Sequence, residues 1–466
     1  MEYSASSISN NNDGKASVHV LVLPFPSIGH LSPTMQLVHR LADHGVMITI
    51  LTIDGTHTRR LVKEQSRNEI NIVTVPDGLE TEDERRDEMK VLESFFEVMP
   101  DHTFNFVRNV NQQQDFQEIS CVISDIMNVW SLEIVSEMGL KMALFYSPAI
   151  GCMATCLNIS KLFEDGLVDA QGSPNNNKEI LLSPYLPELR SSDYPWIVPG
   201  NLLLQEMFFQ LVSSYEQYHR CYDWVLGNWF QDLDPSIDDS LPNILSVGPL
   251  IANGRSDSES LWSRDMSCLS WLDKQPPRSV IYVAFGSTGK KSQQQFDELA
   301  LGLELVGKPF IWVVKTDPSN GVSANYPDGF QERVANQGMM VEWAPQEKVL
   351  AHPSVACFLN HAGWNSVMES ISYGIPMLCW PHMADHFYNR TCICNGWKIG
   401  LELKPDDNGI VTRHQLKLKV EELLSNTGIR SNALKLKSLA QKSISKGGSS
   451  SKNLEYFVAQ LKQLNL

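Results

Sequence analysis

Several features that define common protein classes are missing from this sequence of 466 residues. It has no basic cluster, and its formal net charge of −16 argues against attraction to nucleic acid or anionic lipid. The N-terminal residues lack the basic start and apolar core of a secretory signal, so we expect no export. The most apolar stretch, from Met142, is interrupted by Ser147, Pro148 and Gly151. This interruption predicts a buried strand, a turn and a helix, and no integral membrane segment.

Cysteine and glycine patterns exclude further classes. The nine cysteines form no evenly spaced framework, and Cys392 and Cys394 lack a second pair of metal ligands, so we expect free thiols in a reducing cytoplasm. The first apolar run is followed by PFPSIGH, which does not contain the GxGxxG pattern of dinucleotide-binding proteins. The stretch FGSTGKKS is not a triphosphate P-loop, because Ala284 replaces its first glycine and Lys291 its final Ser or Thr.

What the sequence contains is a regular alternation of apolar runs and helical patterns. Hydrophobic residues make up 42% of the chain and charged residues 20%, as in ordinary globular proteins, and the length suggests two domains. Residues 18–26 form an apolar run, a helical pattern follows, and a second apolar run ends at Ile53. In this strand–helix–strand unit, Ser32 is the predicted N-cap, Pro33 the first helical residue and Gly45 the end of the helix.

The alternation predicts two domains with the same architecture. It ends near residues 243–250, a polar linker follows, and a second series of strands begins. We therefore predict an α/β fold with two Rossmann-like, doubly wound parallel-sheet domains that face each other across a cleft. The predicted boundaries are a disordered N-terminal tail at 1–17, the first domain at 18–250, the linker at 251–268, the second domain at 269–450, and a C-terminal helix at 451–466 that packs back on the domains.

The segment HAGWNSVMES places polar residues where a predicted strand ends and a helix begins. Unpaired backbone N–H groups and the positive end of the helix dipole make such a start a seat for an anion. His361, Asn365 and Ser366 add side-chain donors, and Gly363 allows the backbone to approach a ligand closely. The sequence therefore predicts an anion-binding site at this helix start.

The longer block from Trp343 to His386 resembles the signature of plant UDP-dependent glycosyltransferases of family 1, which act on small molecules. Its matching pieces are WAPQ, HAGWNS, the later Glu369, and Asp385 near the end. The segments PFPSIGHLSP and WLDKQPPRSVIYVAFGS extend the resemblance over nearly the whole chain. The resemblance implies the GT-B fold, a UDP-sugar donor as co-substrate, a small lipophilic acceptor, and neither a cofactor nor a metal. The anion at the helix start would then be the diphosphate of UDP.

The resemblance implies a role for the residues around the nucleotide. Trp343 offers a flat face for uracil and Gln346 a partner for its edge, although taken alone a buried aromatic residue and a polar helix start explain them equally well. Glu369 can accept hydrogen bonds from both ribose hydroxyls, and the alternative is a solvated helix residue. Ser287 and Thr288 follow a predicted strand and are expected to add phosphate contacts.

The sugar end of the donor site departs from the family pattern. The resemblance places Asp385 and the residue after it on hydroxyls of the sugar, with Trp364 assisting and Ala344 among the other donor-binding residues. The residue after Asp385 is usually Gln, whereas here it is His386, whose neutral ring offers one donor and one acceptor. We expect glucose first, on family frequency, and galactose second, because a His here accompanies UDP-galactose use in some relatives.

His30 is the predicted catalytic base. It follows the first strand, at the carboxyl edge where sites of parallel sheets collect, and we expect it in the turn. An imidazole near neutral pKa can take the proton of an acceptor hydroxyl. Asp125 ends another strand of the same sheet and is expected to orient His30. A structural histidine and a capping aspartate are the alternatives, and the resemblance of GHLSP to the family favours the catalytic role.

A metal-dependent mechanism is a weaker alternative. Asp232 and Asp234 form an acidic pair of the kind that binds metal in metal-dependent sugar transferases. They follow a predicted strand and turn ahead of the linker, so we expect both at the surface. The helix start is expected to carry the leaving-group charge without a metal.

The sequence predicts an inverting glycosyltransferase that moves a hexose from a UDP-sugar to a hydroxyl of a small lipophilic acceptor. We expect the acceptor pocket after Asp125, around Phe145 and Tyr146, and near Trp196 in an irregular segment. The enzyme is expected to be monomeric and cytoplasmic. A non-catalytic UDP-sugar sensor of the same fold is the alternative, and a nicotinamide oxidoreductase is disfavoured by the missing glycine pattern.

Overall fold

The computed structural model describes most of the chain, and the described ranges are residues 18–55, 58, 67–113, 117–176, 178–181, 187–234, 243–252, 266–286, 291–314 and 325–464. The predicted tail at 1–17 lies outside the described residues, as do residues 253–265 of the predicted linker.

The first half of the chain forms a seven-stranded parallel sheet. Its strands are β1 (His19–Leu23), β2 (Met47–Ile53), β3 (Ile70–Val75), β4 (Ile119–Asp125), β5 (Lys141–Tyr146), β6 (Trp224–Gly227) and β7 (Ile244–Ser246). They lie side by side in the order β3-β2-β1-β4-β5-β6-β7. The order reverses between β1 and β4, where the helices that follow the strands leave on opposite faces and open a crevice at the carboxyl edge. We call this sheet and its helices the first lobe.

A six-stranded parallel sheet follows and forms the second lobe. Its strands are β8 (Val280–Ala284), β9 (Phe310–Val313), β10 (Gly338–Val341), β11 (Val355–Asn360), β12 (Met377–Cys379) and β13 (Gly400–Glu402). Their order is β10-β9-β8-β11-β12-β13, so the reversal lies between β8 and β11. The predicted fold of two doubly wound parallel-sheet units is confirmed.

Helices cover both faces of both sheets. Those between the strands of the first lobe are α1 (Ile28–Asp43), α2 (Glu82–Arg86), α3 (Glu88–Gln112), α4 (Ser131–Glu137), α5 (Ile150–Cys156), α6 (Ile159–Glu164) and α7 (Leu202–Tyr218). Those that follow are α8 (Ser267–Leu272), α9 (Gln293–Val306), α10 (Phe330–Arg333), α11 (Gln346–Ala351), α12 (Trp364–Tyr373), α13 (Asp385–Thr391), α14 (Arg413–Ser425), α15 (Thr427–Ile444) and α16 (Ser449–Gln463). Short 3-10 turns occur at Ser191–Asp193, His219–Cys221 and Gln231–Leu233, and a π-helical turn at Cys392–Gly396 follows α13.

Helix α1 begins earlier than predicted, and the assignment of Ser32 as its N-cap is wrong. The carbonyl of Ser27 already accepts the N–H of Leu31 at 2.8 Å, so the chain is helical one turn before Pro33. Pro33 therefore lies inside the helix, where it has no N–H to donate to the carbonyl of Gly29. The preference of proline for the first turn of a helix therefore misplaced the start. In this helix the carbonyl of Gly29, which Pro33 cannot bond, accepts a hydrogen bond from Asn365.

The C-terminal helix α16 returns to the first lobe. Its Phe457 and Leu461 are fully buried in the same apolar cluster as residues of β1 and α1. The ring of Phe457 packs edge-on against Trp224 of β6 at 5.4 Å between centroids. Asn453 donates to the carbonyl of Ser246, at the end of β7, at 3.0 Å. The last helix thus supplies part of the outer layer of the first sheet.

Candidate active site

A cavity of about 1240 Å³ lies between the carboxyl edges of the two sheets. Residues from both lobes line it, and among them are His30, Tyr146 and Ser147 from the first lobe and Trp343, Gln346, His361, Gly363, Trp364, Asn365, Ser366, Glu369, Asp385 and His386 from the second. The structure therefore brings most of the predicted site residues to one place. Ala344 of the WAPQ segment also lines it, whereas Ser287 and Thr288 lie outside the described residues.

His30 faces this cavity as the third residue of α1, within the first turn of the helix, whereas the sequence predicted it in the preceding loop. Its Nδ1 lies 2.9 Å from each carboxylate oxygen of Asp125, the last residue of β4. The side chain of Asp125 is 1% exposed and that of His30 is 21% exposed. The carboxylate accepts a hydrogen bond from the N–H at Nδ1, so Nε2 carries the lone pair and is the basic nitrogen.

Two carboxylates oppose the effect of burial on the pKa of His30. Burial alone lowers the pKa, but the charge and hydrogen bond of Asp125 and the charge of Asp385 outweigh it, so the net pKa is raised above its usual value. The hydroxyl of Ser147 also lies 3.1 Å from Nδ1. Sequence reasoning missed Ser147, although its position directly after β5, at the same sheet edge, was a usable signal.

The predicted anion seat is the start of α12. Gly363 is the N-cap, and His361 precedes it in the turn after β11. The imidazole of His361 is enclosed by two glycines: a Cβ on Gly363 would collide with its Nε2, and one on Gly286 would lie 2.9 Å from its Cε1. Both positions therefore require glycine for the ring to reach the cavity. The ring contacts His386 edge-on at 4.7 Å between centroids.

Four contacts close the lobes around the cavity. Asn365 donates to the carbonyl of Gly29, and the indole N–H of Trp364 donates to the carbonyl of Asn228 at 2.7 Å. The N–H of Ala384 donates to the carbonyl of Ile197 at 2.7 Å. The guanidinium of Arg390 pairs with the buried Asp193 at 2.5 Å. Nothing in the sequence indicated these pairs, because each joins segments far apart in the chain.

Gln346, Ser366 and Glu369 form a hydrogen-bonded group beside the seat. The amide of Gln346 donates to the hydroxyl of Ser366 at 2.9 Å and to the carboxylate of Glu369. Burial, with a smaller contribution from the charge of Glu347, raises the pKa of Glu369 to about 8. With this pKa the side chain of Glu369 is mostly protonated at neutral pH, and further hydrogen-bond donors brought to it would favour its charged form.

Asp385 and His386 are the first two residues of α13, and the ring of His386 lies against His361 of the anion seat. The carboxylate of Asp385 accepts a hydrogen bond of 2.9 Å from Asn389, and burial raises its pKa to about 6. Burial also lowers the pKa of His386 to about 4, so this ring is neutral at physiological pH. A buried carboxyl group and a neutral imidazole therefore lie side by side next to the predicted anion seat.

Two residues predicted for the acceptor pocket do not line the cavity. Phe145 and Tyr146 are neighbours on β5, so their side chains point to opposite faces: Tyr146 faces the cavity, and Phe145 is buried in the cluster beneath α16. Trp196 is fully buried, and its indole N–H donates to the carbonyl of Gly172 at 2.8 Å. Pro195, its neighbour, is the residue that reaches the cavity.

The acidic pair ahead of the linker is placed differently from the prediction. Asp232 is exposed as expected, but Asp234 is 3% exposed, so its assignment to the surface is wrong. The 3-10 turn at Gln231–Leu233 directs the chain inward before Asp234.

Among the described residues, no group of three His, Cys, Asp or Glu side chains is arranged to hold a metal ion. All nine cysteines are free thiols, as predicted. None of the described helices has the length and apolar character needed to cross a bilayer.

Comparisons with known proteins agree with this geometry. A family model described as UDP-glucoronosyl and UDP-glucosyl transferase matches residues 205–445. The chain is 34% identical to UDP-glycosyltransferase 83A1 of Arabidopsis thaliana, over 97% of this chain and 98% of that protein. It is 31% identical to 7-deoxyloganetin glucosyltransferase of Gardenia jasminoides, over 95% of this chain and 97% of that protein.

A solved structure shares the fold over nearly the whole chain. It is that of Phytolacca americana UGT2 complexed with UDP-2fluoro-glucose and pterostilbene. The TM-score is 0.80 at 25% identity, and the match covers 96% of this chain and 100% of that one. The fold, the cavity and these similarities together show that the chain belongs to the plant UDP-glycosyltransferases, within the UDP-glucoronosyl and UDP-glucosyl transferase family.

Proposed function

We propose that this UDP-glycosyltransferase moves a hexose from a UDP-sugar to a hydroxyl of a small lipophilic acceptor, with inversion at the anomeric carbon. The observation that carries the proposal is the His30–Asp125 pair, which faces the same cavity as the start of α12. A base on one side and an anion seat on the other are the two parts that a displacement at the sugar between them requires.

The reaction step follows from the tautomer of His30. The acceptor hydroxyl gives its proton to Nε2 while its oxygen forms a bond to the anomeric carbon. The bond from that carbon to the diphosphate oxygen breaks in the same step, and UDP leaves with the electron pair. Asp125, bonded to Nδ1 at 2.9 Å, stabilises the imidazolium that forms. Attack opposite the leaving group inverts the anomeric configuration.

The second lobe stabilises the leaving group. The N–H groups at the start of α12, together with His361, Asn365 and Ser366, offer donors to the diphosphate. We include Ser287 and Thr288 in the phosphate site as a proposal that rests on the family pattern alone. Because the helix start and these side chains carry the charge, we propose that transfer needs no metal or other cofactor.

The first-lobe side of the cavity suits a lipophilic acceptor. Its walls near His30 are mostly apolar, with Phe25, Met35, Leu92, Ile126, Met127, Phe208, Leu211 and Val212 among them. The names of the relatives support the same class, since 7-deoxyloganetin and pterostilbene are small organic molecules. Apolar walls discriminate weakly between acceptors, so several hydroxyl-bearing compounds are expected to react.

We propose glucose as the preferred sugar, with galactose as the second candidate. The Gardenia relative is named as a glucosyltransferase, which supports glucose. His386 stands at the sugar end of the seat beside Asp385, and its neutral ring offers fewer hydrogen bonds than the Gln of the family pattern. Initial rates with UDP-glucose and UDP-galactose should be compared between the natural protein and H386Q. A preference that H386Q does not change would remove His386 from sugar selection.

The proposal is tested with purified protein, a panel of UDP-sugars and a library of phenolic and terpenoid alcohols. We expect UDP release, and NMR should show a β-linked product from an α-linked donor. His30→Ala should lower the turnover number by about 10²- to 10⁴-fold and leave UDP affinity nearly unchanged. UDP binding without transfer to any acceptor would favour the alternative of a sensor protein. Full turnover by His30→Ala would remove His30 as the base.

We further propose that the enzyme acts as a monomer in the cytoplasm. The free thiols of all nine cysteines support a reducing compartment. Light scattering of the purified protein gives the oligomeric state.

A further inference from the structure

Lys291 places a positive charge beside the donor site. Its ammonium nitrogen lies 3.9 Å from the ring centre of Phe285 and 3.8 Å from that of Trp380. It also donates to Nε2 of His382 at 3.3 Å. Lys291 is partly buried just before α9, and His382 lies in the segment between β12 and α13. Two loops at the carboxyl edge of the second sheet thus hold this ammonium group.

Among the described residues, no acidic side chain pairs with Lys291. Within the described ranges, its ammonium group makes no ion pair, and its contacts are two aromatic rings and one imidazole. Burial, with a further contribution from the Lys291 charge, lowers the pKa of His382 to about 2, so that ring is neutral. Burial likewise lowers the pKa of Lys291 to about 7. A desolvated cation of this kind gains most from an anion brought close to it.

The position of this group points to the diphosphate. Phe285, whose ring Lys291 covers, lines the cavity, and the next residue, Gly286, lies against the His361 ring of the anion seat. His361 and His386 both lie close enough to His382 to lower its pKa, so these three imidazoles and Lys291 form one group. Asp385, an acidic residue that lines the cavity, is bonded to Asn389. Among the described residues, no carboxylate contacts the ammonium group of Lys291.

We propose that Lys291, supported by His382, is a further binding residue for the diphosphate of the donor. The ammonium group complements the phosphate charge that the start of α12 binds from the other side. Its flexible side chain allows Nζ to move from the face of Phe285 toward the cavity when an anion enters. The inference rests on the proposed donor site, and it adds a charge that acts on binding, with no role in proton transfer.

Binding of an anion must then be linked to protonation of Lys291. The free protein holds Lys291 partly deprotonated above pH 7, and a bound phosphate favours the charged form. Binding of UDP at pH 8 should therefore be accompanied by proton uptake at Lys291. At this pH the terminal phosphate of UDP is already ionised, so the nucleotide does not supply the proton. The affinity of the natural protein for UDP should fall as the pH rises from 7 to 9. A structural lysine would produce neither effect.

The test uses the full chain and isothermal titration calorimetry with UDP and with uridine. Lys291→Met should weaken UDP binding by about five- to tenfold at pH 7 and leave uridine binding unchanged. Lys308→Met, which removes an exposed lysine just after α9, is the matched control and should change neither. At pH 8, measurements in two buffers of different ionisation enthalpy give the proton uptake. We expect the natural protein to take up on the order of 0.3–0.5 proton more than Lys291→Met.

The outcomes separate this inference from the proposed function. If the natural protein binds UDP and Lys291→Met binds it equally well, with equal proton uptake, Lys291 has no part in the site. If the natural protein does not bind UDP, the proposed function itself fails. Loss of folding is checked by thermal unfolding without ligand. Lys291→Met should unfold at a temperature equal to or above that of the natural protein, because it removes a poorly solvated charge. If Lys291→Met unfolds at a lower temperature than the natural protein and binds uridine and UDP with equally weakened affinity, Lys291 has a structural role alone.

Discussion

The amide of Asn365 in the second lobe donates a hydrogen bond of 2.6 Å to the main-chain carbonyl of Gly29 in the first. This carbonyl is available because Pro33, four residues later in α1, has no N–H to bond it. A proline inside a helix thus creates an acceptor for the other lobe. The bond joins the predicted anion seat at the start of α12 to the helix that carries His30.

Replacing this proline should restore the helical bond and compete with the bond between the lobes. We expect Pro33→Ala to raise the free energy of unfolding by about 1–3 kcal/mol and Asn365→Ala to lower it by about 0.5–1.5 kcal/mol. In the double variant the cost of Asn365→Ala should shrink. Urea unfolding of the four proteins gives the coupling, and strict additivity would show that the carbonyl does not link the two residues.

The pH dependence of transfer should report the pKa of His30. The base must be unprotonated, so kcat/KM falls on the acid side with a midpoint at this pKa, which Asp125 keeps above the usual histidine value. Asp125→Asn removes the charge and should move the acid limb to lower pH, while kcat falls about 10²-fold. An unchanged acid limb would mean that another group titrates there.

Glu369 should distinguish ribose from deoxyribose. The natural protein is expected to bind UDP more tightly than 2′-deoxy-UDP, because the carboxylate accepts a bond from the hydroxyl. In Glu369→Ala we expect UDP affinity to fall by about 1.5–3 kcal/mol and the difference between the two ligands to disappear. Gln346→Ala, which removes the neighbour that donates to Glu369, serves as the control and should keep the difference.

Chelation should leave transfer unaffected. The donors at the start of α12 and the side chains beside it are expected to carry the leaving-group charge, so activity in excess EDTA should equal activity in added Mg²⁺ or Mn²⁺. A loss of activity with EDTA that metal restores would require a cation at the diphosphate.

Much of the fold could be predicted from the sequence because it depends on local periodicity. The runs that became β1, β5, β8 and β11 are almost entirely apolar, as buried parallel strands require. The short β13 and the partly polar β3 gave no such signal, and the patterns missed both. The start of α1 was misplaced because the carbonyl of Gly29, which Pro33 leaves without a helical N–H partner, is bonded by Asn365, 336 positions away from Gly29.

The structure brings the residues predicted for the donor site together more completely than those predicted for the acceptor pocket. His361 to Glu369 lie on one turn and one helix, so their spacing in the chain determines their spacing in space. The acceptor pocket depends on which neighbour on a strand faces inward, and Phe145 and Tyr146 were not distinguished. Ser147 and Asn228 entered the site through tertiary contacts that no local pattern records.

The position of α16 has a consequence for synthesis on the ribosome. β1, α1 and β2 leave the ribosome long before α16, so the surface that receives Phe457 and Leu461 stays uncovered until α16 has emerged. The nascent first lobe is therefore exposed to self-association until α16 has been made. Messages truncated before the codon for Ser449 should yield aggregated product, whereas a second chain that supplies the missing terminal peptide in trans should recover soluble protein.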